Sequence, residues 1–176
     1  MIPKKEFYFI RHGQTDHNLH TSKTDHYAHI PLNETGRSQA IAIEPKIAVL
    51  PVRTVCSSPY LRVRETRQLI TPRLSAKTVE IDDLGECTHA VWQEMYALGP
   101  RISNDASKAV QNFAARVLSG LQQALAHEGP TLIVAHGGVH WIACYWMNIE
   151  GDWRVDNCVP IHFSIGDNGQ WVAKKL

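Results

Sequence analysis

Apolar residues along this chain fall into two patterns: short unbroken runs, and positions repeating every three or four residues. Phe7-Tyr8-Phe9-Ile10 is a run of strand formers that stops at Arg11-His12-Gly13, as expected of a buried strand delivering polar residues at its carboxyl end. Thr54-Val55-Cys56, Thr78 to Ile81 and Thr131-Leu132-Ile133-Val134-Ala135 read as further strands, the last halting at His136-Gly137-Gly138. Helical patterns lie between them. Asn33 is a candidate N-cap for a helix through Gln39 to Glu44, which Pro45 either kinks or ends. Ser58 is placed to cap, and Pro59 to open, a helix containing Leu61, Arg62, Glu65, Thr66 and Leu69. Val110, Phe113, Ala114, Val117, Leu118, Leu121 and Leu125 mark one face of a long helix that Gly129-Pro130 stops, and Val139 to Met147 forms another. Asp82 to Ala106, with Gly85, Gly99, Pro100, Asn104 and Asp105, reads as a long irregular segment, a kind that often carries function. Val159 to Ile165 and Gln170 to Ala173 flank Asp167-Asn168-Gly169 as a closing hairpin.

Strands alternating with helices predict an α/β fold, a three-layer sandwich with a mainly parallel sheet and helices on both faces. Ligands of such sheets bind beyond the carboxyl ends of the strands. Those ends carry Arg11-His12, the turn from Ser57 to Arg62, and His136-Gly137-Gly138, so remote segments are expected to converge on one edge. At 176 residues the chain is expected to form a single domain over 1–176.

Composition narrows the possibilities. Eighteen Lys plus Arg against seventeen Asp plus Glu leave a formal charge of +1, which offers no field for a polyanion and argues against nucleic acid. The cysteines, Cys56, Cys87, Cys144 and Cys158, have no C-x-x-C spacing and suit a reducing compartment. The apolar run after the first lysines is too short for a signal peptide, and Val139 to Ile149 falls short of the roughly 20 residues of a membrane span. These features predict a soluble, cytoplasmic protein.

The candidate site chemistry is two imidazoles, His12 and His136, with two guanidinium groups, Arg11 and Arg62, and no acidic cluster suited to Mg²⁺. Guanidinium groups fork onto phosphate oxygens and stay charged, so two of them neutralise a phosphoryl group without a metal. Phosphoryl transfer needs positioning, charge stabilisation, an in-line nucleophile and help for the leaving oxygen. A neutral histidine can be that nucleophile. Repulsion from neighbouring arginines is expected to lower the pKa of His12, with a backbone carbonyl fixing its tautomer.

These residues resemble those of the histidine phosphatase, or phosphoglycerate-mutase-like, superfamily. Tyr8-Phe-Ile-Arg-His-Gly-Gln-Thr15 with Asn18 is similar to the family signature, Pro31 to Ala40 to the approach to its first long helix, Ser57 to Thr66 to its second arginine motif, and Ala135-His-Gly-Gly138 to its second histidine motif. The resemblance runs from about Tyr8 to Gly138. It implies that His12 is transiently phosphorylated, that Arg11, Arg62 and His136 stabilise the phosphoryl group, and that Glu86, in Leu84-Gly-Glu86, protonates the leaving oxygen. Cys87 to Glu94 departs from the family pattern after that carboxylate, which leaves Asp82, Asp83 and Glu94 as rivals.

The implied activity is a cofactor-independent phosphomonoesterase with a small phosphorylated metabolite as substrate. The short covering segment, around 84–106, favours this over a phosphoglycerate mutase; a noncatalytic phospho-ligand-binding or interaction module is a third reading. Several residues also have plainer roles. Arg62 can pair with Glu65, Asn18 can serve as a turn cap instead of a phosphate ligand, and Trp92 and Tyr96 either wall the leaving group or anchor the segment. His17, His20, His26 and His29 lack an established metal-ligand spacing, and His136 and His140 lack the H-E-x-x-H pattern because Gly137 stands at the Glu position. No metal and no cofactor is expected.

Overall fold

A computed structural model describes residues 2–19, 27–99, 101–103, 105–151 and 153–176. Strand formers at Phe7–Arg11 (β1), Thr54–Ser57 (β2), Lys77–Glu80 (β3), Thr131–Ala135 (β4), Pro160–Ile165 (β5) and Trp171–Lys175 (β6) build one six-stranded sheet in the order β3-β2-β4-β1-β5-β6. β3, β2, β4 and β1 are parallel, and the β5–β6 hairpin extends that block antiparallel beside β1. Side chains alternate across the sheet, so the central strands feed two apolar layers. Phe7, Phe9, Cys56 and Ile133 point into one core, and Tyr8, Ile10, Val55, Leu132 and Val134 into the other.

The helices Asp16–Leu19 (α1), Glu34–Ala48 (α2), Leu61–Ile70 (α3), His89–Leu98 (α4), Lys108–Ala126 (α5) and Gly137–Trp146 (α6) fill in around the sheet. Ala40 and Ile47 of α2 and Val63 and Ile70 of α3 seal the second core. The first core takes Val91 and Met95 of α4, the Val110-Phe113-Val117-Leu121 stripe of α5, and Val139 and Ile142 of α6. This is the expected α/β sandwich.

Three helix boundaries differ from the sequence reading. Asn33 does cap α2, its side chain accepting from the Gly36 N–H at 2.9 Å, but the helix continues through Pro45. Ile41, four residues earlier and 59% exposed, lies on the solvent side, where water can serve the carbonyl that proline leaves without an amide partner. α3 starts at Leu61 with Tyr60 in an extended conformation, so Ser58 and Pro59 lie outside it; the Ser58 hydroxyl is engaged by a histidine described below. α6 begins at Gly137, making His136 its N-cap residue.

The largest difference is the segment 82–106. It contains a 3-10 turn, Asp82–Leu84, and the ten-residue α4, capped by the Thr88 hydroxyl on the Val91 N–H and ended by Gly99 at φ +76°. Only Val91 and Met95 of α4 are fully buried, a stripe too narrow to stand out in the sequence. Pro100 and Asn104 lie outside the described residues. No helix among the described residues is long and apolar enough to cross a membrane.

Candidate active site

Sheet register brings the remote motifs together. Arg11 pairs with Ala135 across the parallel β1–β4 ladder, so the next residues, His12 and His136, leave adjacent strands at the same height. The His12 N–H donates to the Ala135 carbonyl at 3.0 Å, and on the other side of β4 the Ser58 N–H donates to Val134 at 3.1 Å. The Asn157 amide donates to the His12 carbonyl at 2.7 Å, and the Cys158 N–H donates to the Arg11 carbonyl at 2.9 Å, pinning the end of β1 from the β5 side. Gly36 lets the turn after His12 lie against the start of α2, since a Cβ there would collide with the Gln14 carbonyl.

Arg62, in the first turn of α3 and 4% exposed, bridges the two imidazoles. Its Nε donates to His12 Nε2 at 3.1 Å, one terminal nitrogen donates to His136 Nδ1 at 3.2 Å, and the other donates to the Tyr27 carbonyl at 2.6 Å. These contacts fix both tautomers. His12 Nδ1, 2.7 Å from the Gly13 carbonyl, must carry its proton, which leaves a lone pair on Nε2. His136 Nδ1 receives Arg62, so its Nε2–H donates to the Ser58 hydroxyl at 2.9 Å.

Both rings are held neutral, their pKa values well below the ordinary histidine value. Burial is the main cause for each, with repulsion from Arg62 second. For His12 the repulsion from arginines expected from the sequence is present, and burial comes ahead of it. The two rings meet edge to face, centroids 5.2 Å apart.

A cavity of about 100 Å³ opens over His12, Arg62, Arg11 and Asn18. His136 is fully buried and not in the cavity wall; it reaches the site through Arg62 and His12. Arg11 donates to the Val155 carbonyl at 2.8 Å, while its buried Nε has no protein partner. Burial lowers the pKa of both arginines from the ordinary value, and Glu86 works in the opposite direction. The floor therefore holds two desolvated cations against one carboxylate and neutral imidazoles, an electrostatic excess that suits an anion.

Glu86 is the one of the four candidate carboxylates that lines the cavity. Asp83 is turned away to Ser119 and Gln123 on α5, both at 2.7 Å, Glu94 accepts from the Ser107 N–H at 2.6 Å, and Asp82 is exposed. The Glu86 carboxylate sits over the N-terminus of α6, accepting from the Gly138 N–H at 3.1 Å and from the Cys87 N–H at 3.0 Å. A Cβ at Gly138 would overlap the carboxylate where it stands, so a side chain there would displace Glu86. Cys87 also lines the cavity, but burial first and Glu86 second push its thiol pKa up, which removes it as a rival nucleophile.

Other expected residues take mixed positions. Asn18 lines the cavity while its side-chain oxygen accepts from the Thr15 N–H at 3.1 Å, so it does serve as a turn cap. Glu65 bonds the Leu32 N–H at 2.6 Å and lies 3.5 Å from Arg37, not Arg62. Trp92 lines the cavity, and Tyr96, half-exposed, packs against it. His17 lines the cavity with its ring against Tyr27; His20 and His26 lie outside the described residues. No group of three or more potential metal ligands occurs among the described residues. The sequence reading missed Ser58 as the partner of His136, Asn157 as a clamp on β1, and the Tyr27 carbonyl that steadies Arg62. Only Ser58 stood inside a motif that could have signalled it.

Comparison with known proteins identifies the family and the fold. The family model described as histidine phosphatase superfamily (branch 1) matches residues 7–175. An agropine synthesis reductase of Rhizobium rhizogenes is 31% identical over 184 residues, spanning 96% of this chain and 41% of its own length. The chain thus spans less than half of that relative, and 33% of a second reductase of the same name. A Bacillus subtilis protein described as an uncharacterised phosphatase is 30% identical over 139 residues, 73% of this chain and 69% of that one. Among solved structures, a mycobacterial glucosyl-3-phosphoglycerate phosphatase superposes with TM-score 0.70 at 21% identity, covering 97% of each chain. A phosphoglycerate mutase from Thermus thermophilus superposes with TM-score 0.68 at 19% identity, covering 98% of each. Both share the fold.

Proposed function

This chain belongs to the histidine phosphatase superfamily, and from that membership we propose that it is a cofactor-independent phosphomonoesterase, acting on a small phosphorylated metabolite through a phosphohistidine. The observation that carries the reading is the unprotonated Nε2 of His12 beside the buried Arg62 guanidinium, in a cavity also lined by half-buried Arg11 with its unpartnered Nε–H. The proposal treats 1–176 as one domain with residues 84–106 as its substrate cover. It places the enzyme in the cytoplasm, a setting the four free cysteines support.

In the first step phosphorus displaces the Arg62 Nε–H from the His12 Nε2 lone pair. The new N–P bond forms as the ester P–O bond breaks; the leaving oxygen takes a proton from Glu86, one that the phosphomonoester monoanion carries in and passes to that carboxylate before transfer. Arg11 and the released Arg62 fork hold the equatorial oxygens, while His136, held by Ser58, positions Arg62. Asn18 is a secondary phosphate ligand. Water then attacks phosphorus and gives a proton to the Glu86 carboxylate. The P–N bond breaks, and phosphate and free His12 result.

A mutase would return the phosphoryl group to a second substrate hydroxyl and needs cations for the carboxylate of a phosphoglycerate. Among the described lining residues Arg11 and Arg62 are the only Lys or Arg, which favours water as acceptor. Glu86 within the cavity favours turnover over a noncatalytic binding module.

Rapid quenching with a phosphomonoester is expected to trap acid-labile phosphate on His12, absent in His12→Ala, with turnover unchanged by EDTA. Label on another residue, or an EDTA loss restored by Mg²⁺ or Zn²⁺, overturns the mechanism.

A further inference from the structure

We propose that the alcohol this enzyme releases carries a flat aromatic ring, selected by Trp92; the proposal rests on the phosphatase reading above. The floor of the cavity, where His12, Arg11 and Arg62 meet, takes the phosphoryl group, so the rest of the substrate lies against the other residues that line it. The mouth is aromatic on two sides. On one, His17 and Tyr27 pack edge to face with centroids 5.2 Å apart. On the other, the first turn of α4 presents His89 and, one turn on, Trp92.

Trp92 is held in place before any ligand arrives. Its ring packs against Tyr96 at 5.5 Å and against the buried Trp141 at 5.8 Å, which itself leans on Trp153 at 6.0 Å. Toward the floor, the Trp92 ring edge and Arg11 Nε both lie 3.6 Å from the point where a Cβ on Gly137 would stand. The indole is therefore a fixed surface beside the phosphate-binding guanidinium, and stacking on it costs little side-chain ordering.

Among the described residues the rest of the mouth offers less to a charged or polyhydroxylated leaving group than to an aromatic one. A second phosphate or a carboxylate would need another Lys or Arg, and none lines the described cavity beyond Arg11 and Arg62. A polyhydroxylated ring needs several planar hydrogen-bonding side chains; among the described lining residues Asn18 and Thr88 each accept a backbone N–H, which leaves a ligand only their donor sides.

The test compares three esters of primary alcohols, whose leaving groups are similar in acidity: 2-phenylethyl, 2-cyclohexylethyl and butyl phosphate. The phenyl ester is expected to show kcat/KM about tenfold above butyl and several-fold above cyclohexylethyl. Trp92→Leu lowers kcat/KM for the phenyl ester more than for butyl phosphate, chiefly through a higher KM, so that the ratio between the two falls toward one. Equal kcat/KM for phenylethyl and cyclohexylethyl phosphate, or a loss in Trp92→Leu shared equally by all three, overturns the aromatic preference alone. Phosphate release from none of them overturns the phosphatase reading and this proposal with it.

Discussion

The floor of the site and its cover are built on different principles. The floor hangs from strand ends: His12 and His136 are placed by one ladder register, locked at every ring nitrogen, and buried. The cover, from Glu86 along α4, is attached by Val91, Met95 and the Trp92 stack, and exposes Thr88, His89 and Tyr96. Strand register cannot be adjusted by small steps, because a one-residue slip turns every side chain to the other face. A ten-residue helix resting on two buried side chains can change its surface without disturbing the sheet. The floor suits what all phosphomonoesters share, and the cover suits what distinguishes them.

Substitutions separate the two regions by the pattern of their effects. The largest is expected for Arg62→Lys: an ammonium cannot serve His12, His136 and Tyr27 at once, so kcat should fall by up to about 10³-fold, equally for alkyl and aryl esters. A loss that varies with the leaving group would break the division. Glu86→Gln should behave in the opposite sense, lowering hydrolysis of alkyl phosphates by about 10²-fold while sparing 4-nitrophenyl phosphate, whose leaving oxygen needs no proton. Equal losses on both esters would remove Glu86 as the acid.

Smaller effects concern stability. Burial holds His12 and His136 well below the ordinary histidine pKa, and His140, wedged between Phe9 and Phe163, is pulled down to about 4. Below about pH 6.5 the unfolded chain binds these protons and the folded one does not, so stability is complete above that pH and declines as pH falls toward 4. The urea midpoint should therefore drop steadily between pH 7 and 5; a flat profile would mean that the imidazoles are not held neutral. The smallest effect is expected of Asn33→Ala, about 1 kcal/mol from the lost α2 cap, read in the same urea titration.

The sequence displayed the floor well because each of its parts follows a buried strand, and an unbroken apolar run ending in Arg-His-Gly or His-Gly-Gly announces both the strand and what it delivers. The family and the layered fold were legible on the same residues. The cover was not, since Val91 and Met95 alone make too thin a stripe to declare a helix, and Gly85 and Gly99 at its flanks imitate a loop. Ser58 reads as a helix cap because a serine before proline has that use more often than the one it has here, accepting a hydrogen bond from a buried imidazole. His136 touches Arg62 and is absent from the cavity wall, a link between the second histidine and the second arginine that motif order alone does not convey.

β1 lies between β4 and β5. On the ribosome it is made early, and both of its neighbours emerge late. Until then Phe7 to Ile10 has no ladder to join, and the most apolar edge of the nascent chain must be shielded by collapse or by a chaperone. Recovery of phosphate binding during refolding would accordingly report the arrival of the last strands, after most of the helical signal has already returned.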